Sequence, residues 1–518
     1  MYLAELRSRF GAEPVGDLSQ FNEGLYLFGV TDDSRDVRFG YVFCAVRGEK
    51  QDGTKFCRQA AAKGAQAIAV QSGVPVSALG LNDYELTKIA ILRVPDVRAF
   101  YARLCARFHP GLPDTMVGAT GTNGKTSTVS FLRDLWDLNG KSAVSLGTLG
   151  IQSRSHARTN LEAGLTTFDA KTLHIMLSEL KTVHGISNVA MEASSHALHQ
   201  GRLAGLAFDA AIFTNLTLDH LDYHKDMDAY YVAKAMLFRE RLKPDGTAII
   251  NVDDPRGAEL AAELKASRRR VITYSRRSPA SDLQLVNRKS RPAGQDLEVS
   301  IFGRVCSIAL PLAGEFQADN IMAAMGAAIA TGLTADHVVE QAAKVSPVPG
   351  RLELVATTPA GAPVYVDYAH TPDALENVLS SLRPHVPHTG RLHVVFGCGG
   401  DRDTSKRPKM GDIASRLADR AWITDDNPRS EEPTAIRKAI IAGGPACVDA
   451  GDRQSALRCA IEEAGGSDIV VVAGKGHEDY QILPVRNELG APILDESGRF
   501  ELEKVLFSDQ DLIRSLCR

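Results

Sequence analysis

Apolar runs of strand length that end abruptly in polar or glycine residues recur along this chain. They include SNVAMEASSH, FDAAIFTNLTLDH, GTAIINVDDP, APVYVDYAH, RLHVVFGCGGDRD, RAWITDDNPR and DIVVVAGKGHED. Near-continuous apolar stretches, rather than strict alternation, mark strands covered on both faces, as in parallel sheets packed between helices. Each run therefore predicts a buried strand leading straight into a polar loop. Ligands of open parallel sheets bind beyond the carboxyl ends of the strands, so the chemistry is expected along two such sheet edges.

The runs fall into blocks separated by proline-rich breaks. The strand-like GYVFCAVRG and AQAIAVQ flank a helical KFCRQAAAKG, which predicts a small α/β domain ending near HPGLPD. A second block ends at VSPVPGR, after the alanine-rich helix NIMAAMGAAIATG, and a third runs to the last residue. The expected domains are 1–112, 113–347 and 348–518. At 518 residues the chain is well beyond the size at which one hydrophobic core stops growing. SRRR at 267–270 reads as a solvated helix end.

Composition narrows the class. A hydrophobic fraction of 44% and a net charge of −4 describe an ordinary globular protein with no global pull toward nucleic acid or acidic membranes. Anionic ligands must then be held by local basic groups. The eight cysteines form no CxxC pair, which argues against a zinc site and a disulfide framework. No signal peptide and no apolar stretch of about 20 residues is visible, so a cytoplasmic protein with reduced thiols is expected.

Candidate chemistry begins at VGATGTNGKTSTVSFLRDLW, residues 117–136. An apolar strand end, a glycine-containing loop and a helix opening near Thr126 form the context of a phosphate loop. Gly121 and Gly124 let backbone N–H groups turn toward phosphate oxygens, Lys125 brings a mobile charge, and Thr126 offers a hydroxyl to magnesium. The Walker spacing would put glycine at 119, where alanine stands. The segment TNLTLDH lacks the lysine of a guanine-reading NKxD motif, so guanine specificity is not expected. Glu192 closes one predicted strand and Asp219-His220 follow another, which suits oxygen-rich ligation of magnesium beside phosphates. By residue type alone, Lys234 is an exposed helix lysine and DHLDYH a polar loop with capping aspartates.

The motif GATGTNGKTS resembles the ATP loop of the Mur ligase family, the amino-acid-adding enzymes of peptidoglycan synthesis, a process tied to cell shape and division. The resemblance implies ATP binding by Gly121, Thr122, Asn123, Gly124, Lys125, Thr126 and Ser127. MEASSHAL and TNLTLDHLDYH are similar to the family's metal-bearing segments, which implies magnesium held by Thr126, Glu192 and His220. In YYVAKAMLF, Lys234 corresponds to a lysine that the family carbamylates with carbon dioxide, so it joins the metal set and, with Lys125, Glu192 and His220, the catalytic set. FQADNIMAA resembles FNxxNxxAA and implicates Asn320, with Gln317 replacing an asparagine. PGRLE and VDYAHTP supply Arg351 and Asp367 for phosphate and ribose.

The substrate segments extend the resemblance over nearly the whole chain. TDDSRDVRFGYVFCAVRG is similar to a uridine-binding first domain and implicates Ser34. LTTFDA, with Phe168 in place of proline, supplies Thr166 and Thr167, while SSHALHQGR supplies Ser194, Gln200 and Arg202. GCGGDRDTSKRPKMG, DDNPRSEEP and AGKGHEDYQ look like the amino-acid pocket and implicate Arg402, Asp426, Asn427, Pro428, Arg429, Gly474 and Glu478. DNPR is the form associated with meso-diaminopimelate rather than lysine.

The implied fold is α/β with three domains: a small N-terminal uridine-binding domain, a central P-loop ATPase domain with a mainly parallel sheet, and a C-terminal Rossmann-like domain. The implied reaction joins meso-diaminopimelate to the D-glutamate γ-carboxylate of UDP-N-acetylmuramoyl-L-alanyl-D-glutamate through an acyl phosphate, catalysed by a monomer. Three alternatives stand beside it: the same ligation with L-lysine, a folylpolyglutamate synthase-like ligation, and a non-catalytic nucleotide-gated binding protein. The second should lack the DSR segment and DNPR, and the third has no need of Glu192, His220 and Lys234.

Overall fold

A computed structural model of the chain describes residues 1–15, 24–48, 51–154, 166–221, 223–487, 493–494 and 500–518. The fold divides into two compact units, Met1–Tyr274 with Gly326–Leu333, and Ser275–Met325 with Thr334–Arg518.

The first unit opens with strands β1 (Glu13–Pro14), β2 (Gly29–Thr31), β3 (Tyr41–Cys44), β4 (Ala67–Gln71) and β5 (Ala90–Val94), paired in the order β1-β5-β4-β3-β2. Only β1 is antiparallel. The central sheet comprises β6 (Thr115–Thr120), β7 (Ala143–Gly147), β8 (Gly150–Gln152), β9 (Asn188–Glu192), β10 (Phe208–Phe213), β11 (Leu242–Asn251) and β12 (Arg270–Ser275). These pair in the order β12-β11-β10-β6-β9-β7-β8, all parallel except β8. β6 lies between β9 and β10, and the chain leaves it through the helix Lys125–Leu138 to reach β7 on the far side of β9. Strand ends β6, β9 and β10 therefore adjoin at one edge, where such sheets bind ligands.

The second unit carries an antiparallel meander of β13 (Leu283–Arg291), β14 (Gly294–Ile301) and β15 (Arg304–Leu310). Its main sheet is built from β16 (Glu353–Thr357), β17 (Pro363–Asp367), β18 (Leu392–Phe396), β19 (Arg420–Ile423), β20 (Cys447–Asp449) and β21 (Ile469–Ala473). The order is β16-β17-β21-β18-β19-β20, with β16 alone antiparallel. Strands β22 (Tyr480–Pro484) and β23 (Leu502–Leu506) form a separate antiparallel pair.

Every quoted apolar run forms its expected strand: β17, β18 and β21 are buried at all five positions, as two-sided coverage requires. The meander had no such signal, because β14 and β15 alternate buried with more exposed residues and offer only one face to a core. The helix after the phosphate loop begins at Lys125, one residue earlier than expected. SRRR is not merely solvated: the Arg269 guanidinium donates to the carbonyls of Leu242, Lys243 and Pro244 and ties down the start of β11. All eight cysteines are free thiols. Among the described residues no helix is long and apolar enough to cross a membrane.

Candidate active site

The loop from β6 into the helix Lys125–Leu138 is fixed by the loop after β10. Asn215 accepts from the Thr122 N–H through its carbonyl at 2.9 Å and from the Asn123 N–H through its side chain at 2.9 Å. The Thr214 hydroxyl donates to the Asn123 carbonyl at 2.6 Å. A Cβ on Gly121 would fall 1.9 Å from Thr214 Oγ1, so only glycine permits this approach. Gly124 sits at φ 86° as the N-cap and brings no side-chain acceptor, which leaves the N–H groups of the first helical turn for an anion. Lys125 Nζ donates to the carbonyls of Gly121 at 2.8 Å and Thr122 at 2.7 Å, and Ser127 is buried in that first turn.

Glu192, at the end of β9, is 1% exposed. Its carboxylate accepts from Thr126 Oγ1 at 3.0 Å and from the Thr148 N–H at 2.8 Å. Gly147 makes room for it, since a Cβ there would lie 2.1 Å from Glu192 Oε1. Several predicted substrate residues join the same network. Thr148 Oγ1 meets Thr166 Oγ1 at 3.4 Å, Thr167 Oγ1 donates to the Glu192 carbonyl at 2.9 Å and lies 3.3 Å from Ser194 Oγ. Arg202 donates to the Thr167 carbonyl at 3.0 Å and to Gln200 Oε1 at 2.5 Å. Phe168 inserts its ring into the core with Leu173 and Leu198, and Asp169 caps the helix Ala170–Thr182, so the segment is anchored without proline. Ser34 stands apart in the N-terminal sheet region, bonded to Gln59 at 2.8 Å.

His220 lies on the loop after β10 at φ 52°, with His196 at 4.9 Å and Tyr230 at 5.9 Å between ring centroids. Lys234 is not an exposed helix lysine: at 1% exposure it is buried, and its Nζ donates to the Gly121 carbonyl at 2.8 Å. Burial holds its pKa well below the ordinary lysine value, with Lys125 adding to the effect. Tyr230, one turn earlier, places its ring 4.2 Å from Lys234 Nζ and its hydroxyl 3.3 Å from Thr122 Oγ1. Sequence reasoning missed Tyr230, Thr148 and Asn215, none of which carries a distinctive residue type. Among the described residues no three His, Cys, Asp or Glu side chains form a metal-holding group alone.

The second unit gathers the other candidates. Asn320 Nδ2 donates to Gln317 Oε1 at 2.9 Å, and Gln317 Nε2 to the Arg351 carbonyl at 3.5 Å, so the amide replacing asparagine retains a bonding role. Arg351 stacks over Tyr368 at 5.2 Å. Asp367, at the end of β17, accepts from the N–H groups of Leu352 at 2.7 Å and Ala369 at 2.8 Å, and burial raises its pKa against the opposing pull of Arg351.

Beyond the ends of β18, β19 and β21 the amino-acid candidates converge. Asn427 Nδ2 faces Glu478 Oε2 at 3.3 Å, and a Cβ on Gly474 would lie 2.9 Å from Asp426 Oδ2. Arg429 adopts φ 49°, its N–H donating to the Ile482 carbonyl and its guanidinium to the Gly400 carbonyl at 2.9 Å. Such left-handed backbone costs a non-glycine residue about 1–3 kcal/mol and concentrates at functional sites. Gly400 also packs against Pro428, whose carbonyl would lie 1.9 Å from an added Cβ. Arg402 is exposed on the loop after β18. Lys475, which the sequence reading passed over, is fully buried between Asp426, Asn427 and Glu478.

Three family models match the chain: the Mur ligase family catalytic domain over residues 28–109, the Mur ligase middle domain over 119–328, and the Mur ligase glutamate ligase domain over 350–476. A UDP-N-acetylmuramoyl-L-alanyl-D-glutamate--2,6-diaminopimelate ligase of Mesorhizobium japonicum is 43% identical over 479 residues, covering 92% of this chain and 95% of the relative. A solved structure of an enzyme of that name superposes with a TM-score of 0.68 at 31% identity, covering 95% of this chain and 94% of the other. A folylpolyglutamate synthase of Mycobacterium tuberculosis in complex with ADP and AMPPCP shares the fold, with a TM-score of 0.57 at 20% identity, and covers 73% of this chain and 92% of that one.

Proposed function

The chain belongs to the Mur ligase family, and from that premise we propose that it is an ATP-dependent, ADP-forming ligase that adds meso-diaminopimelate to UDP-N-acetylmuramoyl-L-alanyl-D-glutamate. A γ-carboxylate oxygen of D-glutamate attacks the γ-phosphorus of ATP and ADP leaves. The amine of diaminopimelate then attacks the acyl carbon, phosphate leaves, and the amine proton passes to solvent. The observation that carries this reading is the convergence of Asp426, Asn427 and Arg429 with Gly474 and Glu478 at one sheet edge. It occurs in a chain similar over almost its whole length to 2,6-diaminopimelate ligases.

In this reading the helix N-terminus at Gly124 and the Lys125 ammonium hold the phosphates, and Asn320, Arg351 and Asp367 serve the nucleotide. The hydroxyl of Thr126 and the buried carboxylate of Glu192 offer hard oxygen donors 3.0 Å apart beside the phosphate loop, a donor pair that suits magnesium. They would hold the ion together with His220 and modified Lys234. Magnesium, when bound, supplies positive charge that offsets phosphate oxygens during transfer. The depressed pKa of Lys234 keeps a share of its amine neutral, the form that adds to carbon dioxide to give a carbamate with loss of a proton. Thr166, Thr167, Ser194, Gln200 and Arg202 would bind the sugar and peptide, and Ser34 the uridine.

The three-part division at 112 and 347, a monomeric state and a cytoplasmic location complete the proposal. Phosphate release measured with ATP, the nucleotide-sugar dipeptide and meso-diaminopimelate omitted in turn tests it. Release must need all three, and release that persists without the dipeptide contradicts the reading.

A further inference from the structure

Lys475 follows β21 with its side chain wholly out of solvent, and the proposed chemistry leaves it without a task. Its Nζ lies 3.2 Å from Asn427 Oδ1 and 3.8 Å from both Asp426 Oδ1 and Glu478 Oε2. The same Asn427 Oδ1 accepts the Ile482 N–H at 3.0 Å. Two donors therefore occupy the two acceptor sites of that oxygen. Were the Asn427 amide turned over, its NH2 would face an ammonium and a backbone N–H, donor against donor. The only orientation free of that conflict directs Nδ2 toward Glu478 Oε2, 3.3 Å away.

The turn bearing Lys475 is itself clamped. Arg453 donates to the Ala473 carbonyl at 3.1 Å and pairs with Asp509 at 2.6 Å, both side chains fully buried. Gln510 Nε2 donates to the Gly476 carbonyl at 2.8 Å. The helix Asp509–Leu516 thus fastens both sides of Lys475 from behind. Arg453 and Asp509 offset each other, which leaves Lys475 as the cation set between Asp426 and Glu478.

We propose that Lys475 is a positioning residue for the amino-acid substrate: its ammonium locks the Asn427 amide with its N–H donors turned to the substrate side and offsets one of the two charges of Asp426 and Glu478. The proposal rests on the ligase reading above. An amino acid with two carboxylates and two ammonium groups meets donors from Asn427 and Arg429 and a net single negative charge from the Lys475, Asp426 and Glu478 group. Burial lowers the Lys475 pKa, with Asp426 the leading opposing influence. Without the ammonium, Asn427 is free to turn its carbonyl toward Glu478, and the two carboxylates stand uncompensated.

A double-mutant cycle tests this. Lys475→Met keeps length and removes charge, and should raise KM for meso-diaminopimelate about ten- to a hundredfold, the range for losing a charge-assisted hydrogen bond. KM for ATP and for the nucleotide-sugar dipeptide should stay within about twofold. Acyl phosphate formed without amino acid, trapped with hydroxylamine, should be unchanged. Because the part of its effect that runs through Asn427 is already lost in Asn427→Ala, adding Lys475→Met to Asn427→Ala should raise KM for meso-diaminopimelate by clearly less than Lys475→Met does alone. Additive effects, or equal rises in KM for all three substrates, would overturn the proposal. If Lys475→Met does not fold, Lys475→Gln is judged by the same criteria. Failure of the ligase reading would appear separately, as wild-type protein showing no phosphate release dependent on diaminopimelate.

Discussion

The Thr126 hydroxyl donates to Glu192 Oε1 at 3.0 Å, joining the first turn of the phosphate-loop helix to the end of β9. A buried carboxylate held by the hydroxyls of Thr126 and Thr148 and by one backbone N–H keeps acceptor capacity for a cation on Oε2. The loop and the acid are therefore a single unit, and changes at either should act on the same step.

Glu192→Gln keeps the shape but loses the charge. It should raise the magnesium concentration needed for half-maximal phosphate release by about tenfold or more, of the order found when groups around a bound metal are altered. Gly147→Ala reaches the same end with Glu192 itself unchanged, because its Cβ would meet Glu192 Oε1 at 2.1 Å and displace the carboxylate. Magnesium titrations of both variants check this, and an unchanged magnesium requirement in Glu192→Gln would remove the metal role.

Lys125→Ala removes the mobile charge from a loop whose backbone is held by Asn215 and Thr214. Acyl-phosphate formation should be lost while the melting temperature stays near wild type. Near-normal turnover would refute the assignment of the phosphate loop.

Lys234→Ala should lose activity that short-chain carboxylic acids partly restore, since they return the oxygens of a carbamate. The unmodified lysine also makes a stability prediction. Its folded pKa lies below the unfolded value of 10.5, so the unfolded chain binds more protons between those two values. Stability should rise with pH across that window, and the penalty is full below the folded pKa. In buffer free of carbon dioxide, melting curves of wild type and Lys234→Met should converge as pH approaches 10.5. Parallel curves at all pH values would contradict the buried-amine account.

The sequence made the strands legible because parallel strands buried on both faces read as unbroken apolar runs, and it made the phosphate loop legible because glycine spacing is dictated by backbone geometry. It did not reveal the β13 to β15 meander, whose single buried face gives a weaker pattern. Nor could it find Lys475 or the burial of Lys234. A lysine's residue type predicts exposure, and only tertiary packing against Gly121 and Asn427 reverses that expectation. Tyr230 was hidden for the same reason, as an aromatic at helical spacing that reads as core.

Arg429 should pair with the distal carboxylate that diaminopimelate has and lysine lacks, through the two parallel bonds a guanidinium can offer. Arg429→Ala should raise KM for diaminopimelate by about 30- to several-thousand-fold, corresponding to roughly 2–5 kcal/mol for a truncated charge pair. KM for ATP should change little. Lysine should not become a good substrate, because removing a repulsion builds no ammonium site.

The most direct measurement offers wild-type protein equal concentrations of meso-diaminopimelate and L-lysine with ATP, magnesium and UDP-N-acetylmuramoyl-L-alanyl-D-glutamate, and reads the product by mass. The diaminopimelyl amide should dominate, formed with one phosphate released per amide bond. A product carrying mainly lysine, or phosphate released with no amide formed, would contradict the account.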